Sequence, residues 1–98
     1  MLTEAKVATL NGLAYTRRLC RHFAHRFPAT VAGNEGRIEF PFGLCTIDND
    51  AEHMHIRINS AHADDLERAE RVLKDHLIRM ANKDDPVVTW ERNSLAES

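Results

Sequence analysis

Cysteine is scarce: Cys20 and Cys45 are the two in 98 residues. Two are too few for a disulfide framework, which excludes the small stapled scaffolds of secreted proteins. Proline (three) and glycine (four) are also sparse, and no low-complexity or linker-like block interrupts the chain. No apolar run approaches the ~18 residues of a membrane-spanning helix. Neither sign of charge dominates: 13 Lys and Arg against 15 Asp and Glu give a net charge of −2. Bulk charge therefore points neither to nucleic acid nor to an anionic membrane. The amino-terminal stretch lacks the basic start and apolar core of a secretory signal, with a carboxylate already at Glu4. The expected location is the cytoplasm, where both cysteines are thiols. The Walker loop, the dinucleotide glycine fingerprint and the Gly-x-Ser-x-Gly elbow are missing too.

What is present is a globular balance, 43% hydrophobic and 29% charged, of a length that makes one domain. The reading is a single domain over residues 1–91 followed by a mobile polar tail over residues 92–98. Residues 3–9 alternate loosely as a first strand. Asn11 is placed as the N-cap of a helix over residues 13–27. Its stripe, at about 100° per residue, is Leu13, Thr16, Cys20, Phe23, Ala24 and Phe27, and Pro28 is expected to end it. Residues 29–32, 37–40, 44–48 and 53–58 read as strands, separated by polar or glycine-bearing turns. Ile38, Phe40, Cys45, Ile47, Met54, Ile56 and Ile58 face inward, whereas His53, His55 and Arg57 face outward. A second helix over residues 63–81 carries the stripe Leu66, Ala69, Leu73, His76, Leu77 and Met80. Residues 87–90 read as a last strand. Each helix has one apolar stripe and packs on one surface. The predicted fold is therefore α+β: a two-layer sandwich of a mostly antiparallel sheet, about five to six strands, with two helices on one face, ordered strand-helix-strands-helix-strand.

Several side-chain groups carry chemistry. Residues 17–26 hold four arginines, two histidines and no acid. The polar arc of this helix, Arg18, Arg21, His22, His25 and Arg26, is a candidate surface for an anionic small molecule or partner protein. No RNA-recognition spelling accompanies it, so nucleic acid is not the expected partner. Cys20-x-His22-x-x-His25 resembles a metal spelling, but Cys20 points into the core stripe while both imidazoles point about 140–160° away on the helical wheel. His22 and His25 remain weak metal candidates, as do His53 and His55, about 7 Å apart on one strand face. With Arg57, those two line the sheet face away from the helices, where a metal, an anion or a second subunit would sit. His76, in the apolar stripe, could pair with Cys20 or Cys45 as a nucleophile, although an interior thiol is normally inert. No cofactor and no catalytic residue are predicted, and the expectation is a non-enzymatic module. An open sheet face also admits a homodimer.

Three stretches point to a family. They are Leu19-Cys20-Arg21-His22-Phe23-Ala24-His25-Arg26, then Gly36-Arg37-Ile38-Glu39-Phe40-Pro41-Phe42-Gly43-Leu44-Cys45, then Asp75-His76-Leu77 with Trp90 beyond. Together they resemble the bacterial domain-of-unknown-function family 2218. Where that family usually has an aromatic after the second helix, this chain has Met80. Some members are fused to siderophore-interacting, flavin-dependent ferric reductases. The resemblance therefore implies an accessory module in iron-siderophore handling; the Cys and His residues themselves leave a histidine/cysteine metal or haem site and a small Cys/His enzyme as the alternatives. This chain has no flavin or nicotinamide domain to carry a reductase activity.

Overall fold

The computed structural model describes residues 1–81 and 84–92. Six strands and two helices follow one another as β1 (Leu2–Ala8), α1 (Gly12–Phe23), β2 (Ala29–Ala32), β3 (Glu35–Phe40), β4 (Gly43–Asn49), β5 (His53–Asn59), α2 (Ala63–Met80) and β6 (Glu91–Arg92). The strands form one sheet in the order β2-β3-β4-β5-β1-β6, and every neighbouring pair is antiparallel. The chain thus starts inside the sheet and crosses to one edge through α1. It returns through three hairpins and crosses to the other edge through α2.

Period-two burial makes one sheet face dry. Thr3, Ala5 and Val7, Ile38 and Phe40, Cys45 and Ile47, and Met54, Ile56 and Ile58 are all buried, and residues between them turn to the open face. The helices cover the dry side with Tyr15, Thr16, Leu19, Cys20 and Phe23 from α1 and Leu66, Ala69, Leu73 and Leu77 from α2. Each fully buried aliphatic contributes roughly 1.5–3 kcal/mol on transfer from water. Two glycines set the geometry. Gly33, at φ +59°, takes the first central position of the two-residue loop between Ala32 and Glu35, where a positive φ is required. At Gly36 a Cβ would stand 2.5 Å from Thr16 Cγ2 and 3.1 Å from Cys20 Sγ. Its absence lets α1 lie close on β3.

Three expectations are corrected. The first helix ends at Phe23, well before Pro28, and the chain leaves it in a turn where Arg26 and Phe27 both donate to the Phe23 carbonyl (3.0 and 2.8 Å). That tight turn brings the Phe27 ring to 5.2 Å from Phe40. The helix stripe also shifts: Tyr15 and Leu19 are buried, while Ala24 is exposed. The last strand is Glu91–Arg92, and residues 87–90 are not in the ladder. Val88 is buried and Trp90 packs on the core, so that segment is held by side chains and not by strand pairing. Asn11 does hold the N-cap position, but its side chain makes no cap hydrogen bond. It joins a clamp in which Asp84 Oδ2 accepts from Thr9 Oγ1 (2.6 Å), Tyr15 Oη (2.6 Å) and Asn11 Nδ2 (3.1 Å). These bonds hold the Asp84 carboxyl below its ordinary range and push the Tyr15 phenol up. Of the expected tail, residues 93–98 lie outside the described residues.

Candidate functional site: the basic face of α1

The polar arc of α1 is dictated by the burial of its opposite side. With Leu19, Cys20 and Phe23 turned to the sheet, Arg17, Arg18, Arg21 and His22 must turn to solvent, and His25 and Arg26 follow in the turn beyond; all six are exposed. Part of this bias suits the helix itself, since cations in the last turn complement its carbonyl end. Arg18 Nη1 also reaches across to the Met80 carbonyl at 3.4 Å. Among the described residues, Arg17, Arg21 and Arg26 have no carboxylate within ion-pair distance. The arginines of the rest of the molecule that pair with carboxylates do so with Glu39, Glu4 and Glu70.

Sequence periodicity placed His76 in the core stripe of the second helix. It is only partly buried, and it lies at the seam where α1 meets α2. Its ring centroid is 4.8 Å from that of His22 and 4.8 Å from that of Phe23, and the His22 and Phe23 rings are 5.0 Å apart. His76 Nδ1 lies 2.7 Å from the Val72 carbonyl. A carbonyl only accepts, so Nδ1 carries the hydrogen and Nε2 of the neutral ring carries a lone pair. Desolvation, then His76, His25 and Arg26, lower the proton affinity of His22. This pairing was hidden from the sequence, because His22 and His76 lie 54 positions apart and a helical wheel does not say which flank meets a second helix.

The open sheet face gathers the other candidates. A concave groove of about 930 Å³ runs over it, with Lys6, Arg37, Asp48, His55 and Arg57 in its lining. His53 and His55 do face this side, but both rings turn to Asp50. Asp50 Oδ2 is 3.0 Å from His55 Nε2 and Oδ1 is 3.5 Å from His53 Nδ1. Asp50 Oδ1 also accepts the backbone N–H groups of Glu52 and His53, both at 2.8 Å. These contacts, the Glu52 N–H first, hold the Asp50 carboxyl far below its ordinary value. The cluster ties off the β4–β5 turn. Arg57 pairs with Glu4 at 3.2 Å and Arg37 with Glu39 at 3.8 Å.

Both cysteines are free and buried. Burial pushes both thiols up, Cys45 far beyond its ordinary range. Cys20 Sγ faces the Thr30 carbonyl at 3.7 Å, while His76 is engaged with His22 and Phe23, so among the described residues the alternative of a Cys–His nucleophile pair gains no contact. Cys20 thus looks inward while His22 and His25 look out, and among the described residues no three His, Cys, Asp or Glu side chains converge as metal ligands do.

No helix among the described residues is long and apolar enough to cross a membrane. Among curated proteins, none matches the chain. Among solved structures, the chain is similar to the protein of "NMR structure of PA4090 from Pseudomonas aeruginosa". The two are 30% identical with a TM-score of 0.78, and the match covers 92% of this chain and 94% of the other. Residues 4–91 match the family described as "Uncharacterized protein conserved in bacteria (DUF2218)", and with the fold of a relative superposing over nearly its whole length, the chain belongs to that family.

Proposed function

We propose that this protein is a non-enzymatic binding module that holds an anionic small molecule on the outer face of α1, using Arg18, Arg21, His22, His25 and Arg26. One observation carries the reading. These residues form a continuous polar arc, cationic at its arginines, in which Arg21 and Arg26 have no carboxylate partner among the described residues, whereas Arg37, Arg57 and Arg92 each do. Charge left uncompensated on a surface attracts a ligand of opposite sign, and charge already paired does so weakly. The link to iron-siderophore handling comes from the family resemblance and guides the choice of ligand. A ferric siderophore of the carboxylate class supplies the negative charge that the arc lacks.

The test is a titration followed by backbone amide shifts. The ferric carboxylate siderophore and a permanently ionised polyanion, benzene-1,3,5-trisulfonate, are added separately. The expected shifts fall on residues 17–26 and on the facing part of α2, and they shrink as salt is raised, as screening over a Debye length of about 8–10 Å requires. Shifts confined to Lys6, Arg37, His55 and Arg57 on the open sheet face would reject the α1 surface.

A further inference from the structure

We infer that the His22–His76 pair is the seat of the oxyanion on this face, and that the pair takes up a proton as the oxyanion binds. The inference rests on the reading of α1 as an anion-binding face and adds to it the position and the proton linkage.

The two rings meet at the seam between α1 and α2. They approach to 4.8 Å between centroids at an interplanar angle of 43°. Phe23 packs under both and stands 5.0 Å from Phe40 on the sheet, so the sheet offers this pair an aromatic floor and no carboxylate. From α1 and the turn after it, the charged groups acting on His22 are His25 and Arg26; from α2 the group is His76. Arg18, one turn earlier on α1, reaches the Met80 carbonyl along the same seam. On α2 the charged residue one turn from His76 is Arg79, and Asp75, its chain neighbour, is exposed and turned about 100° round the helix.

Desolvation first, and then the neighbouring His76, His25 and Arg26, disfavour a proton on His22, and none of these neighbours supplies a counter-charge. The orientation of His76 is fixed, because its Nδ1–H is spent on the Val72 carbonyl at 2.7 Å. When His76 gains a proton it gains it at Nε2, which then becomes a donor. An oxyanion, carboxylate or phosphate, seated against the two rings supplies the acceptor oxygens and the negative charge together. The two equilibria are then coupled and the coupling is reciprocal: the anion raises the proton affinity of the rings, and lower pH tightens the anion. His53 and His55 form the contrasting case, since Asp50 already gives them a carboxylate.

The experiment uses benzene-1,3,5-trisulfonate, whose own charge is constant across the range, so any proton taken up goes to the protein. Calorimetric titrations at about pH 5.5, 6.5 and 8, each in two buffers of different ionisation enthalpy, give affinity and protons bound. The expected result is binding about fivefold or more tighter at the lower pH, with net proton uptake near pH 6.5. His22→Gln and His76→Gln each flatten that pH dependence. Imidazole nitrogen shifts of the unaltered protein supply the second readout: His22 and His76 titrate at higher pH with the trisulfonate than without it, and His53 and His55 do not. Binding that is lost in Arg21→Gln/Arg26→Gln but shows no proton uptake overturns the inference and leaves the α1 reading standing. An absence of binding at every pH overturns both.

Discussion

The arginines on the two sides of this molecule are used differently. Toward the sheet and its edge, Arg57 sits 3.2 Å from Glu4, Arg37 3.8 Å from Glu39, and Arg92 holds Glu70 through two hydrogen bonds of 2.8 and 3.3 Å. On α1 and the turn after it, Arg17, Arg21 and Arg26 stand exposed with no such partner among the described residues. Neighbouring α2 is different again. It carries four basic and five acidic residues interleaved along its length, so no one sign dominates it, although no ion pair closes between them among the described residues. A pair that closes on itself belongs to the fold, whereas an arc that does not close leaves an attractive field for a ligand.

The contrast can be broken first by lifting α1 away from the sheet. Gly36→Ala places a methyl against Thr16 and Cys20 and is expected to cost about 1–3 kcal/mol in denaturant unfolding, as overpacking does. A Gly36→Ala variant as stable as the parent would show that α1 has slack over β3. Next in size is Arg92→Ala. It leaves Glu70, whose side chain is 10% exposed, without its two donors. Burial pushes the Glu70 carboxyl up, and the Arg92 hydrogen bonds, the Thr3 hydroxyl and the Arg92 charge together more than offset it, so its pKa is low in the fold. The expected loss is about 1–2 kcal/mol. That loss shrinks as pH falls below about 4.3, the ordinary Glu value, because a depressed carboxyl contributes fully above its unfolded pKa.

Acid titration of the unaltered protein gives a smaller effect. The depressed proton affinity of His22 means that the unfolded chain binds a proton first as pH falls. Stability is then complete above about pH 6.5 and declines below it. Thermal unfolding between about pH 8 and 5 should show a decline that His22→Gln removes; an identical decline in that variant would assign it elsewhere. The smallest change expected is Arg57→Ala, within about 0.5 kcal/mol, because the Arg57–Glu4 pair is exposed on both sides.

Much of this architecture was legible in the sequence, and the misses have definite causes. Strand alternation placed Met54, Ile56 and Ile58 inward and His53, His55 and Arg57 outward, because a two-residue period leaves little freedom once one face is dry. The stripe Leu66, Ala69, Leu73 and Leu77 is buried as read. Glu70, buried beside it, was not foreseen, since its partner Arg92 lies 22 residues on. Hydrophobic residues 87–90 imitate a strand, yet Val88 and Trp90 are anchored by packing, and only Glu91 and Arg92 reach the ladder. The basic arc of α1 was visible as composition; its lack of carboxylate partners and the meeting of His22 with His76 depend on which flank of one helix faces another.

The most direct measurement compares two charge-removing double variants in their affinity for benzene-1,3,5-trisulfonate at low salt. If the open arc of α1 is the binding surface, Arg21→Gln/Arg26→Gln weakens binding by about tenfold or more, which is about 1.4 kcal/mol, while Arg37→Gln/Arg57→Gln leaves it unchanged. Equal losses in the two, or a larger loss in the sheet variant, would contradict the account and move the binding surface to the groove on the open sheet face.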